Sequence, residues 1–182
     1  MQHFFLKTLA LLTVCAALPL SGATYKLLDL TKGNFQDGKV PPRWVSYKAA
    51  TYLPLPQLSY KMEEGKRTWN ISKVAGKDGA RFDSYYRYPA KAGDKFVVTV
   101  EARGKGKISF IVQALSAKKW EGHIGIKSVA VNAKYGVYKI SFDVKNMKNP
   151  TEKLYCHFMV DKGSDISIRS IAAEVIPGKA GK

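Results

Sequence analysis

The sequence predicts an all-β protein, a two-sheet antiparallel β-sandwich of jelly-roll type. Apolar and polar residues alternate with a period of two along most of the chain after Thr24, and no stretch there has the three-and-four spacing of a long amphipathic helix. Turns that contain glycine, asparagine or proline separate the alternating runs. Short strands at this spacing are typical of two-sheet sandwiches.

Ten alternating runs are predicted to be strands. They are residues 25–30, 44–53, 68–74, 81–88, 95–103, 107–115, 123–131, 136–144, 153–160 and 166–175. Residues 53–64 contain Pro54 and Pro56 and are interpreted as a loop that crosses the end of the sandwich, because prolines disfavour a central strand. The run Gly104-Lys105-Gly106 is interpreted as a turn.

The first 23 residues have the layout of a secretory signal peptide. Lys7 precedes an apolar stretch, which ends before the small residues Ser21-Gly22-Ala23. Pro19 interrupts that stretch, so it is too short for a transmembrane segment. We therefore predict a signal peptide (1–23), a β-sandwich domain (24–176) and a disordered basic tail (177–182) in a protein that is secreted, periplasmic or on the cell surface. Lipidation at Cys15 is the alternative that the sequence leaves open.

The charge is strongly positive. The chain has 30 Lys and Arg residues against 14 Asp and Glu residues, a formal net charge of +16, and only Lys7 of these lies in the predicted signal peptide. Such a surplus attracts polyanions over a distance. Acidic polysaccharides, phospholipid surfaces and nucleic acids all fit the charge, but export disfavours nucleic acid as a partner.

After cleavage Cys156 would be a lone cysteine, so no internal disulfide can form in the mature chain. It lies in the alternating run Leu154 to Val160, where a small buried hydrophobe is expected rather than a nucleophile. Stability must then come from a packed core. The alternation in residues 81–88 assigns Phe82, Ser84, Tyr86 and Tyr88 to one face of a strand, and Arg81, Asp83, Tyr85 and Arg87 to a face that meets water or a ligand.

Two segments resemble a known family. The opening Asn34-Phe35-Gln36-Asp37-Gly38, followed by Pro41-Pro42-Arg43-Trp44, and the turn and strand from Tyr88 to Gly104 are similar to CenC-like carbohydrate-binding modules, families four and nine. These modules have a jelly-roll fold of the galactose-binding-like kind. The resemblance implies a fold spread over most of the mature chain and a polysaccharide as the binding partner. We also expect the protein to be a monomer.

Many of these modules hold a structural calcium, and here the pattern departs from theirs. Gln36 stands where members carry Glu, and the final strand has no Asp after Asp165. Asp29, Asp37 and Glu174 are further candidate oxygen donors, but calcium prefers several charged oxygens. We therefore expect no cofactor and no metal ligand, and a structural calcium is the alternative that the sequence leaves open.

The candidate binding residues are Trp120, Tyr85, Arg87 and Gln113. Trp120 lies in the polar stretch Ser116 to His123, where an indole has no evident core partner, and aromatic rings are suited to the apolar faces of sugars in a largely preformed groove. Packing of Trp120 over the sandwich edge is the competing interpretation. Trp44 and Trp69 are expected to pack in the core, and His123 and His157 to be hydrogen-bonded framework residues.

No catalytic residue is assigned. The sequence has no pair of His at metal spacing, no Gly-x-Ser-x-Gly and no phosphate-binding glycine loop. The one catalytic alternative is a jelly-roll polysaccharide lyase that would use Tyr85, Arg87 and His123 for proton transfer and charge neutralisation. A structural or adhesion protein of the cell envelope without a glycan ligand is the second alternative.

Overall fold

The structure, a computed structural model, describes residues 22–31, 33–46, 55–117 and 119–178. Most of the predicted signal peptide, with Cys15, lies outside the described residues, as do 47–53 of one predicted strand and 179–182 of the predicted tail. No helix within the described ranges is long and apolar enough to span a bilayer.

The described residues are all β, which confirms the predicted fold class. The strands are β1 (Ala23–Asp29), β2 (Trp44–Ser46), β3 (Gln57–Glu63), β4 (Lys66–Ser72), β5 (Ala80–Ser84), β6 (Tyr88–Pro89), β7 (Lys95–Leu115), β8 (Trp120–Val131), β9 (Gly136–Asp143), β10 (Lys153–Val160) and β11 (Asp165–Ile176).

Strand β7 organises the sandwich because it belongs to both layers. Its first half pairs with β9 and β11, and its second half pairs with β8 and β10. We call the layer of β8, the second half of β7, β10, β5, β6 and β2 the front sheet. The back sheet contains β9, the first half of β7, β11, β4 and β3, with β1 also paired to β11. All pairings are antiparallel.

The predicted turn at residues 104–106 is wrong, since β7 runs through it without interruption. Gly104 and Gly106 have φ angles of +135° and +128°, values that residues with a side chain rarely adopt. A Cβ on Gly104 would lie 2.1 Å from the carbonyl oxygen of Asp165 on β11. The glycines therefore let the strand pass from one sheet to the other while its neighbours stay paired.

The core between the sheets is rich in aromatic rings. Phe158 lies at its centre, with ring centroids 5.1 Å from Trp44 and Phe82 and 5.7 Å from Trp69. Trp44 and Trp69 are buried at 3% and 0% exposure, so their predicted packing is confirmed. Cys156 is also buried as predicted, and burial raises the pKa of its thiol, which keeps it protonated and unreactive.

Two further strand predictions need correction. Residues 57–63, interpreted as loop, form β3, with Leu58 buried in the core and Tyr60 packed against it. The run 81–88 is not one strand, because β5 ends at Ser84 and β6 begins at Tyr88. The backbone amide of Tyr85 instead donates to the carbonyl oxygen of Arg43. The segment 85–87 is therefore an irregular connection between β5 and β6.

Candidate functional site

The outer face of the front sheet carries a row of aromatic and polar side chains. We call Trp120, His123, Gln113, Tyr155 and Arg87 the front row. Gln113 on β7 is paired in register with His123 on β8 and with Tyr155 on β10. Directly paired residues of antiparallel strands lie on the same face. The row therefore crosses three adjacent strands.

Specific contacts join the members of the front row. The side-chain Nε2 atoms of Gln113 and His123 are 3.2 Å apart, within hydrogen-bond distance. The rings of Trp120 and His123 meet edge to face at 5.8 Å. At the other end, the guanidinium carbon of Arg87 lies 4.1 Å above the ring centroid of Tyr155, a cation–π contact. The strand pairing of Gln113 with Tyr155 places these two groups of contacts side by side on one face, so the row extends from Trp120 to Arg87.

Two irregularities in β8 set the position of Trp120. The pairing of β7 with β8 skips Ile124 and Glu121, and β-bulges of this kind re-aim side chains next to functional sites. The Glu121 carboxylate accepts hydrogen bonds from Ser116 Oγ and from Asn149 Nδ2, both at 2.8 Å. These bonds lower the pKa of Glu121, and they tie the β7–β8 loop to the loop before β10. Trp120 is left 54% exposed.

The ion pair of Arg81 and Asp83 lies beside the front row and affects the ionisation of Tyr155. The Arg81 guanidinium Nε lies 2.8 Å from the Asp83 carboxylate on β5, the strand next to β10. Burial, together with the Asp83 carboxylate, raises the pKa of Tyr155. The phenol is therefore protonated at neutral pH and can donate a hydrogen bond.

His157 lies two positions after Tyr155 on β10, on the same face of the strand, and is completely buried. Burial, followed by the nearby Arg81 charge, lowers its pKa from 6.5 to about 4. The unfolded chain therefore takes up a proton at His157 near pH 6.5, whereas the folded chain resists it until about pH 4. Stability is lost as the pH falls through this window, and the loss is complete below it.

We expect this histidine to make the fold acid-sensitive. Lowering the pH from about 7 to about 4 should cost the wild type on the order of 3 kcal/mol through His157 alone, from about 1.4 kcal/mol per unit of pKa shift. Urea unfolding at both pH values measures it. The His157→Gln variant should lack this acid-induced loss of unfolding free energy. The His123→Gln variant changes an exposed histidine on the same face and should show the same loss as the wild type. Equal acid losses in wild type and His157→Gln would contradict the assignment.

The structure brings together three of the four residues predicted from the sequence. Trp120, Gln113 and Arg87 all belong to the front row. Tyr85 is 65% exposed and lies beside Arg87 in the irregular segment 85–87, but it takes no part in the contacts that define the front row. Tyr155 was not predicted from the sequence. His123, expected to be a hydrogen-bonded framework residue, lies in the row within hydrogen-bond distance of Gln113. The alternation in β10 placed Tyr155 on an outer face, but the pairing that sets it beside Gln113 is not local in sequence.

Two of the carboxylates considered for calcium accept hydrogen bonds from backbone amides. Asp29 accepts a hydrogen bond from the backbone amide of Thr31 at 3.0 Å, and Asp37 accepts one from that of Tyr60 at 2.9 Å. Among the described residues, no three His, Cys, Asp or Glu side chains form a group that could hold a metal ion.

Comparison with solved structures places the fold among β-sandwich carbohydrate-binding modules. A family 4 module has a TM-score of 0.50 at 11% identity, covering 72% of this chain and 86% of its own. A family 29 module carrying one substitution has a TM-score of 0.50 at 14% identity, covering 86% and 87%. No protein-family model and no curated protein sequence matches the chain.

Enzymes share this architecture as well. The Stig cyclase Fisc from Fischerella sp. TAU, solved in complex with an indole derivative, has a TM-score of 0.56 at 8% identity, covering 86% of this chain and 100% of its own. At these identities the similarity defines the fold and not the activity. The fold is an antiparallel β-sandwich of jelly-roll type, an architecture that carbohydrate-binding modules and this cyclase have in common.

Proposed function

We propose that the chain is a secreted, monomeric, non-catalytic carbohydrate-binding protein that holds an acidic polysaccharide across the front row. The observation that carries this proposal is the continuity of the row from the Trp120 indole to the Arg87 guanidinium. The modules of similar fold support a glycan ligand, and the family 4 module is consistent with assignment to the CenC-like families four and nine.

The front row offers the two kinds of contact that sugar recognition needs. The exposed Trp120 indole presents a flat apolar surface to a pyranose ring, and Gln113, His123 and Tyr155 supply hydrogen-bonding groups for hydroxyls. Neighbouring strands lie about 4.8 Å apart, so the row from β8 to β10 spans on the order of 10 Å. That length suits a short stretch of polysaccharide lying across the strands.

Arg87 is the residue proposed to read the acid group. Its planar guanidinium can take a carboxylate or sulfate in two parallel hydrogen bonds, and it is exposed at the end of the row. The net charge of +16 adds a general attraction for polyanions. A uronate or sulfated sugar is therefore the proposed ligand class.

The lyase alternative is less favoured by the chemistry of the row. Arg87 and His123 lie in it, but the tyrosine beside Arg87 is Tyr155, whose pKa is raised. A tyrosine base must first lose its proton, and burial beside a carboxylate opposes this loss. Ultraviolet absorbance of an unsaturated uronate product would detect lyase activity. A glycan array on the mature chain separates binding from a purely structural or adhesive role.

Salt dependence and Arg87→Ala test the acidic ligand. In affinity electrophoresis, we expect binding to a polyuronate to fall at least tenfold between 0.1 M and 1 M salt, as the Debye length contracts from about 10 Å to about 3 Å. Arg87→Ala should weaken binding about tenfold or more, since a charge-assisted hydrogen bond contributes about 1.5–3 kcal/mol. Lys139→Ala, an exposed residue of the back sheet, removes the same charge and should change little.

Three results would count against this proposal. Equal losses of polyuronate affinity in Arg87→Ala and Lys139→Ala would mean that the acid group is attracted by the general positive charge and not by Arg87. Equal retention of a neutral glucan at low and high salt would exclude the acidic ligand but keep the carbohydrate. No retention of any glycan would favour the structural role.

A further inference from the structure

A pocket of about 540 Å³ is lined by residues of the back sheet and its connections and by none of the front row. It lies where β1 and the β3–β4 hairpin both flank β11. Both strands of the β1–β11 pair are irregular here, since the register shifts between Lys26 and Leu28 and between Ile168 and Ser170. Bulges of this kind occur often beside binding sites.

Part of the pocket wall is apolar. Leu28, Leu30, Ile171 and Met62 contribute to it, and Met62 is 65% exposed, although an apolar side chain is more stable out of water. The volume lies within the range of roughly 300–1,000 Å³ that is usual for small-molecule sites. The pocket can therefore accept an apolar group of moderate size.

The charged part of the wall contains more cations than carboxylates. Four cations, Lys26, Lys66, Arg67 and Arg169, line it with two carboxylates, Asp29 and Glu101. Glu101 is shared, because Lys66 Nζ lies 3.7 Å and Arg169 Nη1 3.5 Å from its carboxylate.

Two of these cations have no carboxylate partner in the described part of the chain. Arg67 donates to the carbonyl oxygen of Leu30 at 3.2 Å and lies over the Phe35 ring at 4.8 Å. Lys26 is exposed, and no ion pair is formed by its ammonium group among the described residues. An anionic group in the pocket would meet both charges.

Arg169 forms a rigid base for the pocket. Its side chain is only 7% exposed, its guanidinium lies 3.4 Å from the Tyr135 ring centroid, and Nη2 is 2.6 Å from the Glu64 carboxylate. Its Nε has no hydrogen-bond partner among the described residues. A largely buried guanidinium held in this way is preorganised, so binding next to it requires little ordering.

We propose that this pocket binds a small anionic amphiphile, a carboxylate or sulfate group attached to an apolar body. The anionic group lies between Lys26 and Arg67, and the apolar body packs against Met62 and Leu28. This second site is separate from the front row, and its existence does not depend on polysaccharide binding.

Titration of the full chain with octanoate, followed by backbone amide chemical shifts, tests the site. We expect saturable shifts in β1, the β3–β4 hairpin and residues 169–172. Acetate, which has only the charged group, and octanol, which has only the apolar body, should each bind at least tenfold more weakly. Comparing the affinities of phenylacetate and octanoate shows whether the pocket prefers an aromatic or an alkyl group as the apolar body.

A matched pair of charge reversals tests the role of Lys26. Lys26 on β1 pairs with Ala172, which pairs with Thr99, which pairs with Lys139 on β9. The two lysines therefore lie in one cross-strand line at opposite edges of the same sheet. Lys26→Glu should weaken octanoate binding at least tenfold, whereas Lys139→Glu should leave it unchanged. Both variants alter exposed side chains, so both should fold.

Ala172→Phe fills the pocket and should abolish binding, with melting temperature as the check on folding. Equal losses in the two lysine variants, equal binding of octanol and octanoate, or shifts without saturation would each overturn the proposal. Trp120→Ala should leave octanoate binding intact. This last comparison separates failure of the pocket from failure of the front-row site.

Discussion

Replacing Trp120 with Ala is expected to lower affinity for the polysaccharide by roughly 30- to 1,000-fold while the melting temperature stays nearly unchanged. The expected loss of about 2–4 kcal/mol is that of a central aromatic binding residue. Stability should be spared because the indole is 54% exposed and the Glu121 hydrogen bonds that hold the loop stay in place. Isothermal titration calorimetry and thermal unfolding measure the two effects.

Two companion variants make this result specific. Trp120→Phe retains an aromatic plane and should recover much of the affinity. Tyr85→Ala removes another exposed ring and measures whether the site extends to the segment 85–87, as the sequence predicted. A large fall in melting temperature in Trp120→Ala, with affinity unchanged in the folded fraction, would establish the competing interpretation of a packed lid.

Replacing Phe158 with Ala is expected to cost about 3–5 kcal/mol of unfolding free energy, the usual range for a buried Phe. Phe158 is completely buried, and its ring contacts Trp44, Trp69 and Phe82 at the junction of the two sheets. Because no disulfide joins the described residues, this aromatic core has no covalent support. Urea unfolding measures the loss.

Met159→Ala is the control for this substitution. Met159 is the next residue on β10, but it points to the outer face and is only partly buried, so its loss should be clearly smaller than that of Phe158. A change below about 1 kcal/mol in Phe158→Ala would mean that the sheets do not pack through this cluster.

Alternation predicted most strands because one face of each strand is buried and the other is not. In β10, and in β11 on either side of its irregularity after Ile168, the apolar residues at every second position are the buried ones. The same signal was present in Leu58 and Tyr60 of β3, but Pro54 and Pro56 just before it favoured a loop. The glycines at 104 and 106 are compatible with either a turn or a bend in a continuous strand. Only the pairing with β11 distinguishes the two.

The candidate site could be predicted only in part. A tryptophan in a polar stretch expected to be a loop identified Trp120, which is the first residue of β8. The polar face of residues 81–88 identified Arg87. Tyr155 could not be found in this way, because its place in the row depends on its strand pairing with Gln113 and its side-chain contact with Arg87, which lie 42 and 68 positions away in the sequence. Such contacts depend on the pairing of whole strands and not on local pattern.

Mapping a bound sugar onto the sheet is the most direct test of the proposed site. A uronate oligosaccharide would be titrated into the full chain while backbone amide chemical shifts are recorded. We expect the largest saturable changes at Trp120, His123, Gln113, Tyr155 and Arg87, with the back sheet unchanged. Saturable changes confined to the back sheet or to the loops between the sheets would contradict the front-row site even if the protein binds the sugar.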